Sequence, residues 1–372
     1  MIMTVLVLGR FPPPIDGQTI ATERLASLLE SEVPVKRINT EQPHSPERGA
    51  ISSRMHRAGH FMRLRPRLRA ELAESSGATV LWPAVSPDFF GHLRDLLTTV
   101  PALRPDQKVY AVVHRGNFRQ VFESPFTSAT AKRLVQRLRS VVFLTDHLSE
   151  QCAKWIPEEK RVVIPNTLDD DLIFSDSEVE DKRALRTTRE RLCLLFVGHM
   201  IPSKGYLDVL EAFRIAHQNG VDFDGHFVGR WNADDDRENF NARVRDHGLE
   251  EVIHHHGPLS DRGAIKSLYR DADVLLLPTY YRNEAQPLVI LEALSSATPV
   301  VSTRHAGIPE MIRHEKEGLL VAERDPDALA RAVLRLSSID YWTEISIQAR
   351  QRFLSKFAPD QVRRKWMMLV EE

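Results

Sequence analysis

The chain has 372 residues, 42% apolar and 27% charged, with a formal net charge of −1. That length predicts two or three domains of ordinary size, and the apolar share is enough for real cores. The near-zero total excludes bulk attraction to nucleic acid or membrane. The charge is uneven, however: residues 1–166 carry 23 Lys and Arg against 16 Asp and Glu, and residues 167–372 carry 27 against 35. A basic first half and an acidic second half point to two bodies with different partners. Cys152 and Cys193 are the only cysteines, which makes no disulfide framework and fits a reducing cytoplasm. No stretch approaches the roughly 18 apolar residues needed to span a bilayer. The apolar start, Ile2 to Leu8, is too short for a signal-peptide core. A cytoplasmic protein without a transmembrane anchor is expected.

Thr4 to Leu8 reads as a buried strand ending at Gly9. A Pro-rich loop with Asp16 and Gly17 follows, then a helix from Thr19 to Leu29. Strand, Gly-containing loop and helix open a parallel α/β sheet. Further strands are predicted at 79–81, 109–113, 141–144 and 162–164. Residues 167–190 turn polar, with little periodicity, and read as a linker. A second series follows, with strands at 192–197, 226–228, 252–253, 274–277, 299–302 and 318–321. Helices are predicted at 205–216, 265–270, 288–294 and 326–336. The fold class is therefore α/β, with two consecutive doubly wound, Rossmann-like halves: domains at 1–172 and 190–356. Open parallel sheets bind ligands beyond the carboxyl ends of their strands, so the ligand is expected in an interdomain cleft.

The most specific segment runs Glu284-Ala-Gln-Pro-Leu-Val-Ile-Leu-Glu292. Pro287 suits the first turn of a helix, where its missing N–H costs nothing. Glu284 then lies in the preceding loop and Glu292 about two turns inside. Helical side chains lean toward the N-terminus, so the two carboxylates can grip two ends of one ligand. The free amides of Leu288 and Val289 favour an anion there. A second piece, Phe196-Val-Gly-His199-Met-Ile-Pro-Ser-Lys204-Gly205, places a lysine at a helix start, where phosphate is readily held.

The first segment resembles the Glu-x7-Glu signature of family 4 retaining glycosyltransferases, which have the GT-B fold. The resemblance implies that Glu284 contacts the donor sugar and Glu292 the nucleotide ribose. Gln286-Pro287 stands where many members have Phe-Gly. The family also keeps an Arg and, five residues on, a Lys to neutralise the leaving diphosphate. Lys204 matches, whereas His199 occupies the Arg position, and Arg10 or Arg230 are alternative clamps. Ala306-Gly307-Ile308-Pro309-Glu310 resembles the family's Gly-Gly-Ile-x-Glu loop with one glycine lost. Gly17 matches the N-terminal Gly-Gly loop, Gln18 replacing its second glycine. His114 matches a histidine that faces the transferred sugar. The catalytic candidates are thus His114, Lys204 and Glu284. The donor-binding candidates are Gly17, His199, Lys204, Glu284, Pro287, Leu288, Val289 and Glu292.

The resemblance further implies a metal-independent reaction without a cofactor. The donor is a UDP- or GDP-sugar, and the acceptor a hydroxyl on a glycolipid or polysaccharide precursor. No general base is named, because the departing phosphate takes that part. The closing helix, 357–372, is expected to cross back onto the first domain. A sugar-nucleotide epimerase of the same shape and a non-catalytic binding subunit are the alternatives. A missing Gly-x-Gly-x-x-Gly after the first strand argues against a dinucleotide enzyme.

Asp169 to Asp171 and Asp234 to Asp236 read as solvated loops rather than metal sites. His254 to His256 read as a strand, whose alternating side chains suit no common ion, bordering the nucleotide base. Arg54 to Arg69 interleaves arginines with Met55, Phe61, Met62, Leu64 and Leu68. It reads either as a basic amphipathic helix or loop on an anionic membrane surface, interrupted by Pro66, or as a solvated basic face. In the first case the protein is peripheral on the inner leaflet.

Overall fold

The computed structural model describes residues 4–13, 17–40, 63–74, 77–83 and 85–372. The chain forms two units, Met1–Asn166 with Arg363–Glu372, and Thr167–Val362. The second unit therefore begins five residues before the expected end of the first domain and includes the whole supposed linker.

Among its described residues the first unit holds six parallel strands: β1 (Val5–Gly9), β2 (Val35–Asn39), β3 (Thr79–Trp82), β4 (Lys108–Val113), β5 (Ser140–Phe143) and β6 (Arg161–Val163). Their order is β2-β1-β3-β4-β5-β6. β1, β3 and β5 are buried throughout, as continuous apolar runs are when helices cover both sheet faces. β2 was not anticipated. It is an edge strand with Ile38 its one buried residue, and the charges of Lys36 and Arg37 protect the edge. Arg37 bridges back to Glu23 at 3.0 Å and Glu30 at 2.9 Å.

The closing helix, Pro359–Glu371, joins this unit from Arg363 onward. The Tyr110 hydroxyl donates to the Leu369 carbonyl at 3.0 Å, and Arg363 Nε donates to the Leu28 carbonyl at 3.1 Å. Trp366, Leu369 and Val370 are buried.

The second unit also holds six parallel strands: β7 (Leu192–Val197), β8 (Phe223–Val228), β9 (Ile253–His255), β10 (Val274–Leu277), β11 (Val300–Thr303) and β12 (Gly318–Val321). Their order, β12-β11-β10-β7-β8-β9, reverses between β7 and β10. The chain steps from β7 out to β9, returns, and steps from β10 out the other way. Chains leaving β7 and β10 thus diverge and open a crevice at the carboxyl ends of two neighbouring strands.

Residues 176–188 form a helix, not a linker. Ser175 and Glu178 close a capping box at its start. Its buried positions are Val179, Lys182 and Arg186, so two of its three core-facing residues are charged and no apolar stripe appears in the sequence. Lys182 donates to the Tyr269 carbonyl at 2.6 Å and to the Thr298 hydroxyl. Burial pushes its pKa down to about 7. Arg350, on the helix Ile339–Arg352, donates to the Phe174 carbonyl at 2.7 Å and to Asp176 at 2.9 Å. Polar bonds therefore fasten this helix where apolar contacts are few.

Two acidic runs also depart from the expectation. Asp234, Asp235 and Asp236 form the first turn of the helix Asp234–Asp246, where the helix dipole favours negative charge. Asp169 and Asp171 pair with Arg262 at 2.6 and 2.9 Å around a short 3₁₀ turn.

One glycine fixes the approach of two loops. A Cβ on Gly229 would stand 1.8 Å from the Gly198 carbonyl oxygen, just past the ends of β8 and β7. Gly229→Ala is expected to force the loops apart and cost about 1–3 kcal/mol, read as a lower denaturant midpoint at unchanged m. An unchanged midpoint would mean that this contact is not needed.

Candidate active site

The crevice at the switch point is furnished from both strands that form it. After β7 the chain runs through Gly198 and the exposed His199 to a 3₁₀ turn, Pro202–Lys204. Gly205 ends that turn at φ +79, where a Cβ would meet the Pro278 carbonyl oxygen at 2.5 Å. Only glycine fits both the left-handed backbone and the close approach. The helix Tyr206–Gln218 begins at the next residue, so Lys204 stands just before a helix rather than inside one.

After β10 the chain passes Thr279, Tyr280 and Tyr281 to Glu284. The two loops are tied together by Tyr280 N donating to the Ser203 carbonyl at 2.8 Å. Lys204 Nζ meets Glu284 Oε2 at 2.5 Å, both side chains largely buried. Thr279 Oγ1 donates to the same carboxylate oxygen at 3.1 Å. The ammonium also lies 5.2 Å from the centre of the Tyr281 ring. Sequence separation of 80 residues thus closes into one charged pair.

The helix Leu288–Ser295 follows directly. Pro287 is its N-cap, in extended conformation at ψ 116, one residue earlier than expected. A proline side chain offers no oxygen to the first amides, so those of Leu288 and Val289 lack the usual cap. Glu292 is the fifth residue of the helix, one turn inside rather than two. It bonds with the hydroxyl of the fully buried Tyr269, whose pKa is raised well above the ordinary value by burial and then by that carboxylate. The Tyr269 hydroxyl also reaches the Val289 carbonyl at 3.3 Å.

Three further residues complete this wall and were not singled out from the sequence. Thr279 orients Glu284, and its only signal was its place two residues beyond β10. His305 contacts the Tyr281 carbonyl at 2.9 Å and Glu323 at 2.8 Å, which fixes the loop carrying Glu284. Tyr269 holds Glu292. Ala306, where a glycine is lost from the expected loop, adopts φ +47. The backbone keeps the left-handed turn that glycine would supply, at the steric cost of a Cβ.

Beyond β8 and β9, His254 lies 3.5 Å from Asp224, and the His226 and His256 rings share a 2.9 Å nitrogen contact. Among the described residues no group of three or more His, Cys, Asp or Glu is placed to hold a metal.

Gly17 and His114 belong to the first unit, whose own switch point lies between β1 and β3, with β4 next to β3. Gly17 opens the helix Gly17–Glu30, and its Cβ position is open space. Gln18 Nε2 donates to the Pro83 carbonyl at 3.3 Å. His114 follows β4, with Nε2 sealed from solvent and without a hydrogen-bond partner among the described residues. Burial, assisted by the nearby Arg24 charge, pushes its pKa down to about 4. It lines a cavity of about 590 Å³ together with Arg10, Gln18 and Arg115.

Residues 54–62 of the basic segment lie outside the described residues. Its remainder enters a helix over 63–73 that Pro66 does not interrupt. Leu64, Leu68 and Leu72 turn inward, and Arg63, Arg65, Arg67 and Arg69 face solvent. The described part therefore presents a basic face only, its apolar side being spent on the core.

Two doubly wound α/β units in succession, with these sheet orders, define the GT-B class of fold. Residues 177–352 match the family described as "Glycosyl transferases group 1". Over 150 residues the chain is 33% identical to the amylovoran biosynthesis glycosyltransferase AmsK of Erwinia amylovora, covering 39% of this chain and 36% of that one. The chain spans about half, or less, of the length of the curated relatives it matches. Among solved structures, sucrose-phosphate synthase from Thermosynechococcus elongatus superposes with a TM-score of 0.71 at 18% identity, covering 100% of this chain and 98% of that one. HepE of Anabaena, solved with UDP and glucose, gives 0.71 at 15% identity with full coverage of both chains.

Two measurements test this geometry. Lys204→Met should lower the thermal midpoint by leaving the buried Glu284 carboxylate unpaired. Adding Glu284→Gln should restore most of the loss, and equal destabilisation by both variants would show that the pair is not coupled. For His114, the folded state refuses a proton that the unfolded chain accepts below about pH 6.5. Stability should therefore fall as pH drops from 6.5 toward 4, and His114→Phe should flatten that part of the profile. An imidazole resonance titrating near 6.5 would contradict the burial.

Proposed function

We propose that the protein is a retaining glycosyltransferase of the family 4 type. It moves a sugar from a UDP- or GDP-sugar to a hydroxyl on a glycolipid or polysaccharide precursor. The observation that carries this reading is the Lys204–Glu284 pair, placed at the switch point beside a helix start whose amides have no side-chain cap. Glycosyl transfer leaves a nucleoside diphosphate carrying charge that must be met as the glycosidic bond breaks. Lys204 is a fixed cation on one wall, and the amides of Leu288 and Val289 lie on the other. Glu284 pairs with Lys204 and can exchange that partner for sugar hydroxyls. Glu292 stands one turn deeper, suited to the ribose. His199 is exposed, and an imidazole lacks the bidentate fork of a guanidinium, so it supplies a weaker clamp than arginine.

The named relatives support the same class of chemistry. AmsK is a polysaccharide-biosynthesis glycosyltransferase by name, and HepE binds UDP and glucose. In this reading the charge is met by protein groups alone, so neither metal nor cofactor takes part. His114, kept neutral, offers a hydrogen bond to the transferred sugar or its acceptor.

The test is nucleotide release from a panel of UDP- and GDP-sugars, with and without acceptor and with and without chelator. Acceptor-dependent release that survives chelation is expected. Release without acceptor, accompanied by an isomerised sugar, would make the protein an epimerase. Tight donor binding without turnover would make it a binding subunit. Within the active enzyme, Lys204→Ala should lower kcat by about 10²-fold, whereas Glu292→Ala should mainly raise the donor dissociation constant. Near-normal kinetics in both would remove the site assignment.

A further inference from the structure

The helix Phe89–Leu97 in the first unit is inside out. Its buried side chains are His92 and Asp95. His92 Nε2 meets Thr130 Oγ1 at 2.9 Å, and Asp95 accepts from Ser86 N at 3.1 Å and from Arg94 Nε at 2.9 Å. Its exposed side chains are Phe89, Phe90, Leu93 and Leu97, with Phe90 80% and Leu97 60% exposed. Spacing of three, four and seven residues places them on one stripe. Phe126, 81% exposed, extends it, its ring 6.2 Å from that of Phe89. Water gains nothing from such a stripe, and contiguous exposed apolar surface marks a binding site.

What covers it is indicated by where it leads. Phe90, Leu93 and Leu97 are one wall of the 590 Å³ cavity already described, and Arg10, His114 and Arg115 are among the groups of the other. The first wall is apolar along Phe90, Leu93 and Leu97, with Asp88, Arg94 and Thr98 beside them, and the stripe continues into solvent along Phe89 and Phe126. The other carries Arg10 and Arg115 beside the half-buried His114 ring, whose Nε2 is turned away from solvent. A volume of this size suits a single bound molecule. A flat bilayer would cover the stripe but leave the cavity unfilled, and a purely polar sugar would leave the stripe in water.

We propose that the cavity binds one amphiphile, a phosphate-linked lipid, whose anionic head lies against Arg10 and Arg115 and whose chain runs along Phe90, Leu93 and Leu97. This names the acceptor class and so rests on the sugar-transfer reading. The lipid-linked hydroxyl is delivered to His114, while the tail leaves over Phe89 and Phe126.

The experiment is calorimetric titration with dodecyl phosphate below its micelle concentration, on the whole chain and on Phe90→Ser/Leu97→Ser. Both positions are exposed, so the variant should keep its thermal midpoint. Saturable binding by the parent is expected, weakened about tenfold or more in the variant. Inorganic phosphate and dodecyl maltoside, each carrying half the chemistry, should both bind more weakly than dodecyl phosphate. Equal binding of dodecyl phosphate by parent and variant, or no binding at all, would overturn the site. So would stripe-dependent binding to phosphatidylglycerol vesicles without binding of the monomer, or a dimer in sedimentation equilibrium that the variant abolishes. UDP-glucose is titrated into the same preparations. Amphiphile binding without any nucleotide-sugar binding or turnover would leave the lipid site standing and remove the sugar-transfer reading instead.

Discussion

The point on which the second unit depends is the hydrogen-bonded adjacency of β7 and β10, two strands far apart in sequence that run side by side. Parallel neighbours cannot be joined by a tight turn, and these two send their chains to opposite flanks of the sheet. The space between the departing loops cannot be filled by either one. Charged groups brought there from each loop meet across the gap, shielded from solvent on the sheet side. Lys204 and Glu284 are that meeting. The tie from Tyr280 N to the Ser203 carbonyl, the support of Thr279, and the lack of room for anything but glycine at 205 all hold the two loops at one spacing. Positional precision of this kind is what charge stabilisation without solvent reorganisation requires.

Much of this was legible because parallel strands buried on both faces write themselves as short apolar runs. Val274-Leu-Leu-Leu and Leu192 to Val197 could hardly be anything else. The Glu284 and Glu292 segment was legible for a different reason, since a carboxylate, a proline and a helix form a compact local pattern. Its fine geometry was not. Pro287 became an N-cap because its ψ of 116 belongs to extended chain, which shifts every later helix position by one. Thr279, His305 and Tyr269 were missed because each acts through tertiary contact with no motif of its own.

The failures share a cause. The helix Asp176–Thr188 and the helix Phe89–Leu97 both bury polar side chains, so neither shows the inward apolar stripe by which a helix is recognised, and the first read as a linker while the second was not read at all. In the first, the polar groups have internal partners: Lys182 has the Tyr269 carbonyl and Thr298, and Arg186 has the Ser337 carbonyl at 3.1 Å. Edge strand β2 was lost for a related reason, its lysine and arginine being there to protect the edge rather than to face a core.

The two inverted helices nevertheless differ in what their inversion means. A buried charge that finds hydrogen bonds is compensated within the fold, and nothing further need be sought. Exposed phenylalanines and leucines have no such internal remedy, since the only compensation for apolar surface is contact with something apolar. The helix Asp176–Thr188 keeps Leu185 as its one large exposed apolar residue, whereas Phe89–Leu97 exposes four. The two switch points therefore call for different ligands even though the same sheet rule creates both. One is lined by a cation, carboxylates and amides. The other sets Arg10 and Arg115 across from the apolar stripe of Phe90, Leu93 and Leu97, and that stripe has no counterpart in a wholly polar molecule.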